Sequence, residues 1–136
     1  MILFLLAQDI NSLEVGLLEE NGRLFSFQKF ITTPEKFLFN VSGFLNEQKV
    51  AIEDLKKIVV VSGPGSFTST RMIVTITNAL AWAKNLPIVG VENSERKSGE
   101  ELIALLTQDW LIKNSTNFIS PFYDRPPNIT LKNSKF

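Results

Sequence analysis

The sequence predicts a single α/β domain built on a mixed five-stranded sheet, three antiparallel strands followed by two parallel ones, with helices packed on it. Three observations lead there. Three short strand-like segments open the chain and are separated only by turns, the second and third by Glu19-Glu20-Asn21-Gly22 with its hairpin-favouring Asn-Gly pair. From Thr32 onward, segments of helical spacing alternate with short apolar, β-branched runs, and strands joined through helices pair in parallel. Finally, 136 residues with 44% hydrophobic and 21% charged content suit one folded core rather than a disordered chain. The domain is expected over 1–111, with 112–136 as an extended tail.

Each element has its own warrant. Met1 to Gln8 reads as a buried strand, Leu13 to Leu18 as a second, and Arg23 to Phe30 as a third in which Phe25 and Phe27 alternate with polar residues. Thr32-Thr33-Pro34-Glu35 has the form of a helix start, with a threonine cap, proline in the first turn and a glutamate partner, and the helix is expected to reach about Gln48. Lys57 to Ser62 is the fourth strand, Thr68 to Lys84 the second helix, and Pro87 to Val91 the fifth strand. A last helix is expected from Ser94 to about Leu111, interrupted near Gly99. Beyond it the chain is rich in Asn, Ser and Pro, and Phe118, Ile119, Phe122, Tyr123, Arg125 and the Pro126-Pro127 pair suggest an extended cover for a sheet edge.

Composition excludes several classes. Fourteen basic residues balance fourteen acidic ones, so no overall field draws the chain to nucleic acid or to an anionic membrane, and direct tRNA binding by this chain alone is not expected. Cysteine and histidine are both absent, which removes disulfides, Ser-His-Asp and Cys-His mechanisms and the usual zinc sites. The longest apolar runs, Met1 to Ala7 and Ile58 to Val61, are too short to span a bilayer, and no basic region follows Met1 as in a signal peptide, so a cytoplasmic location without membrane contact is the expectation.

The densest local signal is Val59-Val60-Val61-Ser62-Gly63-Pro64-Gly65-Ser66-Phe67-Thr68-Ser69-Thr70-Arg71, an apolar strand turned into a helix through Gly-Pro-Gly. Gly63 and Gly65 open backbone angles closed to other residues, Pro64 fixes its own, and Ser66 or Thr68 can cap the helix. Such an elbow serves either as a purely structural corner or as an anion site at a helix N-terminus. It lacks the Lys-Ser/Thr of a phosphate-binding P-loop and the third glycine of a dinucleotide turn.

This run resembles the Gly-Pro-Gly-Ser-Phe-Thr-Gly-Leu-Arg signature of the TsaB (YeaZ) family, relatives of the M22 glycoprotease group that take part in making threonylcarbamoyladenosine in tRNA. Gly63, Pro64, Gly65, Ser66, Phe67, Thr68 and Arg71 carry the match, while Ser69 and Thr70 depart from it. The order of elements from Leu3 to Glu92 also matches, and Pro121 to Thr130 is similar to the family's C-terminal segment. The resemblance implies a ribonuclease H-like domain of the actin/Hsp70 ATPase superfamily, in a minimal form without the family's second lobe. In that superfamily the first strand ends in an aspartate followed by Thr or Ser. Here an ungapped alignment puts Ala7, Gln8 and Asp9 in those places, so the phosphate loop is degraded and Asp9 reads as a turn residue.

Binding surfaces are therefore the expected function. On the first helix Phe37, Leu38, Val41, Phe44 and Leu45 form a core face, opposite Glu35, Phe39, Ser42, Gly43 and Asn46. On the second, Met72, Ile73, Ile76, Ala79, Leu80 and Ala83 are expected to point inward, leaving Thr70, Val74, Thr77, Asn78, Ala81 and Trp82 as a weakly charged packing face. The resemblance implies that these two helices dimerise or engage the threonylcarbamoyl transferase TsaD. It makes the chain a non-catalytic scaffold for modification of adenosine 37, with no cofactor or metal of its own, ATP and Mg²⁺ only at the level of a complex, tRNA met indirectly, and a TsaE-type ATPase as a further partner. Two alternatives stand beside it: a one-lobed nucleotide- or phosphate-binding protein using Asp9 and the elbow, and a stand-alone homodimer pairing through the same helices. A ribonuclease H-type nuclease needs several converging carboxylates, and Asp9 stands nearly alone near the strand ends.

Overall fold

The computed structural model describes residues 1–112 and 115–120. Five strands, β1 (Ile2–Leu6), β2 (Ser12–Leu18), β3 (Leu24–Ile31), β4 (Lys57–Gly63) and β5 (Ile88–Glu92), form one sheet in the order β3-β2-β1-β4-β5. β1, β2 and β3 are mutually antiparallel, and β4 pairs in parallel with both β1 and β5. This is the expected mixed sheet, with the antiparallel meander on one side and the helix-linked strands on the other. The hairpin turn uses the left-handed freedom of Gly22 (φ 93°), and Asn21 Oδ1 accepts a hydrogen bond from the Arg23 amide at 2.9 Å.

Three helices cover the sheet: α1 (Phe37–Glu47), α2 (Phe67–Lys84) and α3 (Gly99–Ile112). Alternation along the strands divides the core between two faces. Leu3 and Leu5 of β1 point with Leu13, Val15, Leu17, Ile58, Val60 and Ile88 toward α1 and α2, meeting Phe37, Val41, Phe44, Ile73 and Val74. Ile2, Phe4 and Leu6 point with Val59, Val61, Val89 and Val91 to the other face, where Leu102 and Ile103 of α3 pack. Burial on both faces explains why β1 and β4 read as unbroken apolar runs.

Two boundaries differ from expectation. Pro34–Lys36 forms a single 3₁₀ turn before α1 begins at Phe37. α3 starts at Gly99 rather than being interrupted there, because residues before it turn on Arg96 (φ 53°) and Glu14 of β2 accepts the Gly99 amide at 2.8 Å. A Cβ at position 99 would stand 2.9 Å from Glu14 Oε1 and from the Phe27 ring, so the glycine lets the helix start against the sheet. Thr116 bridges Ile88 antiparallel on the outer edge of β5. The expectation built on Phe122, Tyr123, Arg125, Pro126 and Pro127 lies outside the described residues.

Candidate functional site

The elbow is formed by β4 running through Gly63 (φ 133°) and a cis Gly63-Pro64 bond into α2. Ser66 caps the helix, its Oγ accepting from the Ser69 amide at 3.3 Å, so of the two expected caps the serine serves. The end of β1 closes on this corner. The Ser66 amide donates to Gln8 O (2.7 Å) and the Ser69 hydroxyl to Asp9 O (2.7 Å). Gly65 is buried, and a Cβ there would stand 2.8 Å from both Gln8 O and Thr70 Oγ1. That close approach, more than backbone angle, is what requires glycine at 65.

Gln8 extends the closure. Its Nε2 donates to Pro64 O and, at 2.9 Å, to Asn93 O, while its Oε1 accepts from Asn93 Nδ2 at 2.6 Å. Asn93 in turn donates to Lys97 O (2.8 Å) and accepts from the Lys97 amide (3.1 Å). Two nearly buried carboxamides thus tie the ends of β1, β4 and β5 together. Sequence reasoning singled out Gln8 only as a departure and missed Asn93. The signal for the pair is two amides placed just after strands whose carboxyl ends converge.

The donor set here does not fit Mg²⁺ and a nucleotide. β1 ends in Ala7 and an amide already committed to three protein partners, and Asp9 is exposed and paired with Arg96 at 3.2 Å. Among the described residues no three acidic side chains are grouped so as to hold a metal ion. The amides of Ser66, Ser69 and Thr70 are each taken up by the chain itself, which favours the structural corner over the anion site.

The helix faces divide differently. On α1, Phe39 is 76% and Leu38 51% exposed, with Ser42, Gly43 and Asn46 beside them on the outward stripe. Leu38, expected in the core, belongs to this surface. On α2 the expected face is corrected: Thr70, Val74, Thr77 and Ala81 are buried, while Ala79 and Ala83 are exposed. The helix is turned by roughly one residue, about 100°, from the orientation that hydropathy suggests. The reason is local. Thr77 Oγ1 returns its proton to Ile73 O at 2.8 Å, so threonine presents a methyl group inward and its small bulk lets α2 lie close to the sheet.

The outward stripe of α2 is therefore Phe67, Arg71, Thr75, Asn78 and Trp82. Trp82 is 87% exposed, and the Arg71 guanidinium lies 5.7 Å from the Phe67 ring centroid. Asn78 is half-buried and already bonded, to the backbone of Ile119. Of the elbow residues, Phe67, Thr68 and Arg71 are exposed at the start of this stripe, while Gly63, Pro64 and Gly65 are buried. Three large apolar groups, Leu38, Phe39 and Trp82, thus stand in solvent on two helices that share one face of the sheet.

Comparison with known proteins bears on the same region. A family model described as "TsaD: tRNA N6-adenosine threonylcarbamoyltransferase" matches residues 35–96. The tRNA threonylcarbamoyladenosine biosynthesis protein TsaB of Bacillus subtilis (strain 168) is 46% identical over 55 residues, 40% of this chain and 24% of that protein. Among solved structures, YeaZ from Pseudomonas aeruginosa superposes with a TM-score of 0.60 at 28% identity, covering 68% of this chain and 44% of its own. An uncharacterized protein with similarity to peptidase YEAZ from Pseudomonas aeruginosa gives 0.60 at 27%, covering 68% and 43%. The chain thus matches less than half the length of each of these relatives.

Proposed function

Starting from a chain that is TsaB/YeaZ-like in sequence and fold, we propose that it is a non-catalytic scaffold in threonylcarbamoyladenosine modification of tRNA, and that it binds a TsaD-type transferase through the outward faces of α1 and α2. The observation that carries this reading is the exposure of Leu38, Phe39 and Trp82 on neighbouring helices within the matched stretch 35–96. Their surroundings, Ser42, Gly43, Asn46, Thr75 and Ala79, are small and uncharged, as in the close-packed centre of a helix interface. Arg71 sits at the rim, where it orients rather than anchors a partner.

The lack of catalysis is supported by residue chemistry. The sequence supplies no histidine or cysteine, and the polar groups where the strand ends converge are amides that bond to one another. A scaffold needs a rigid surface, and the Gln8–Asn93 bonds provide rigidity at the root of α2. Reconstituted adenosine 37 modification with a TsaD-type transferase tests the reading. Adding this chain is expected to stimulate modification, and Trp82→Arg or Phe39→Arg to weaken the complex by about 2 kcal/mol or more, roughly thirty-fold in Kd. Unchanged modification with and without the chain would refute it.

A further inference from the structure

Residues 115–120 make a specific set of contacts. Thr116 exchanges two backbone hydrogen bonds with Ile88 on the outer edge of β5, Ile88 N–H to Thr116 O at 2.9 Å and Thr116 N–H to Ile88 O at 2.8 Å. Three residues on, the carboxamide of Asn78 holds the backbone of Ile119 from both sides, donating to Ile119 O at 2.9 Å and accepting from Ile119 N at 3.0 Å. The Ile119 side chain packs against the core shared with α1 and α2, in space that exists because position 90 is glycine. A Cβ at 90 would overlap Ile119 Cδ1. Its neighbours are not read: Asn117, Phe118 and Ser120 are exposed, Phe118 by 67%.

One backbone pairing on a strand edge, a bend in which Thr116 Oγ1 donates to Phe118 O at 2.8 Å, a carboxamide that binds any backbone, and one pocket for an aliphatic side chain make up the recognition chemistry of a short, bent peptide. We propose that the outer edge of β5, Gly90 and Asn78 form a peptide-recognition groove, and that the chain's own segment 115–120 fills it as a displaceable strap. Among the described residues four hydrogen bonds and one aliphatic anchor tie the segment to the domain, a set that can open on its own without unfolding the sheet. The groove takes peptides that bend after the residue that pairs with Ile88 and carry an aliphatic residue three positions beyond it. Asn78 also lies on the outward stripe of α2, so the strap borders the helix surface described above, although the inference does not depend on what binds there.

The test uses the full chain, its Ile119→Gly and Gly90→Ala variants, and a labelled synthetic peptide with the sequence of residues 115–120. Ile119→Gly empties the pocket in cis, and the peptide is expected to bind this variant at least tenfold more tightly than the unaltered chain. Gly90→Ala fills the pocket, and no such gain is expected. Native-state hydrogen exchange completes the comparison: the Ile88 and Ile119 amides lose at least tenfold protection in both variants, while Val60 in β4 keeps its own. Should a variant lose protection at Val60, Asn78→Ala carries the same exchange comparison at Ile119. Peptide binding no tighter to Ile119→Gly than to the unaltered chain, or unaltered protection at Ile88 and Ile119, would overturn the proposal.

Discussion

Thr70 stands where the TsaB signature has leucine, and it is the clearest local conflict between sequence and environment. Its side chain is 1% exposed, its hydroxyl has no hydrogen-bond partner among the described residues, and the hydroxyl oxygen lies against Gly65. A buried hydroxyl without a partner costs about 1–3 kcal/mol relative to an apolar group of the same shape. Thr70→Val is therefore expected to leave stability unchanged or raise it by about 1 kcal/mol, measured as a shift in urea midpoint at constant slope. Glu14 gives a second residue-scale prediction. Burial pushes its carboxyl above the usual range, against the opposing effects of the Gly99 amide and Lys29, while Asp9 and Glu100 add to the rise. A raised folded-state value means the native state holds the proton more tightly, so this group's contribution to stability is present at acidic pH and is lost as pH rises through the folded value. Relative to Glu14→Gln, the unaltered chain should gain stability as pH falls from 7 to about 4, and a difference independent of pH would contradict the assignment. In the sequence Thr70 stands out as a departure from the signature and as a surface residue, and Glu14 does not stand out; the burial of both was not legible, because it depends on which neighbour arrives, here Gly65 and the start of α3.

At the scale of elements, most of the fold was legible because its signals are local. The Asn21-Gly22 turn, the Pro34 helix start, the Gly-Pro-Gly corner and the β-branched runs of β1 and β4 each specify structure within a few residues. The orientation of α2 was not. Hydropathy ranks Ala79 and Ala83 above Thr77, yet alanine loses little when exposed, while a threonine that bonds its own helix, as Thr77 does, can be buried cheaply. Contrasting substitutions follow. Val74→Arg places an unpaired charge in the core and is expected to destabilise the fold by about 3–5 kcal/mol. Trp82→Arg, on the same helix, should change the thermal midpoint by no more than a surface substitution does, about 0.5 kcal/mol in stability. Equal losses in the two variants would show that α2 is oriented otherwise.

For the whole molecule, a sheet whose strands β1 and β4 are buried on both faces, with α1 and α2 on one side and α3 on the other, holds two apolar helix faces in fixed relation to one another. The carboxyl ends of β1, β4 and β5 are joined by the Gln8–Asn93 hydrogen bonds, which fix the root of α2. The elbow signature showed where α2 begins, but only the three-dimensional arrangement showed that Leu38, Phe39 and Trp82 stand in solvent on two helices packed on the same face of the sheet. Among the described residues no helix is long and apolar enough to cross a membrane, and formal charges sum to zero. The central claim is that this surface takes a TsaD-type transferase. Size-exclusion chromatography with light scattering, on the chain alone, mixed with the TsaD-type transferase of the same organism, and repeated with Trp82→Arg, tests it most directly. A particle whose mass equals the sum of both chains, lost with Trp82→Arg, is the predicted result. A chain that elutes at its own mass or as a homodimer, whether or not the transferase is present, would contradict it.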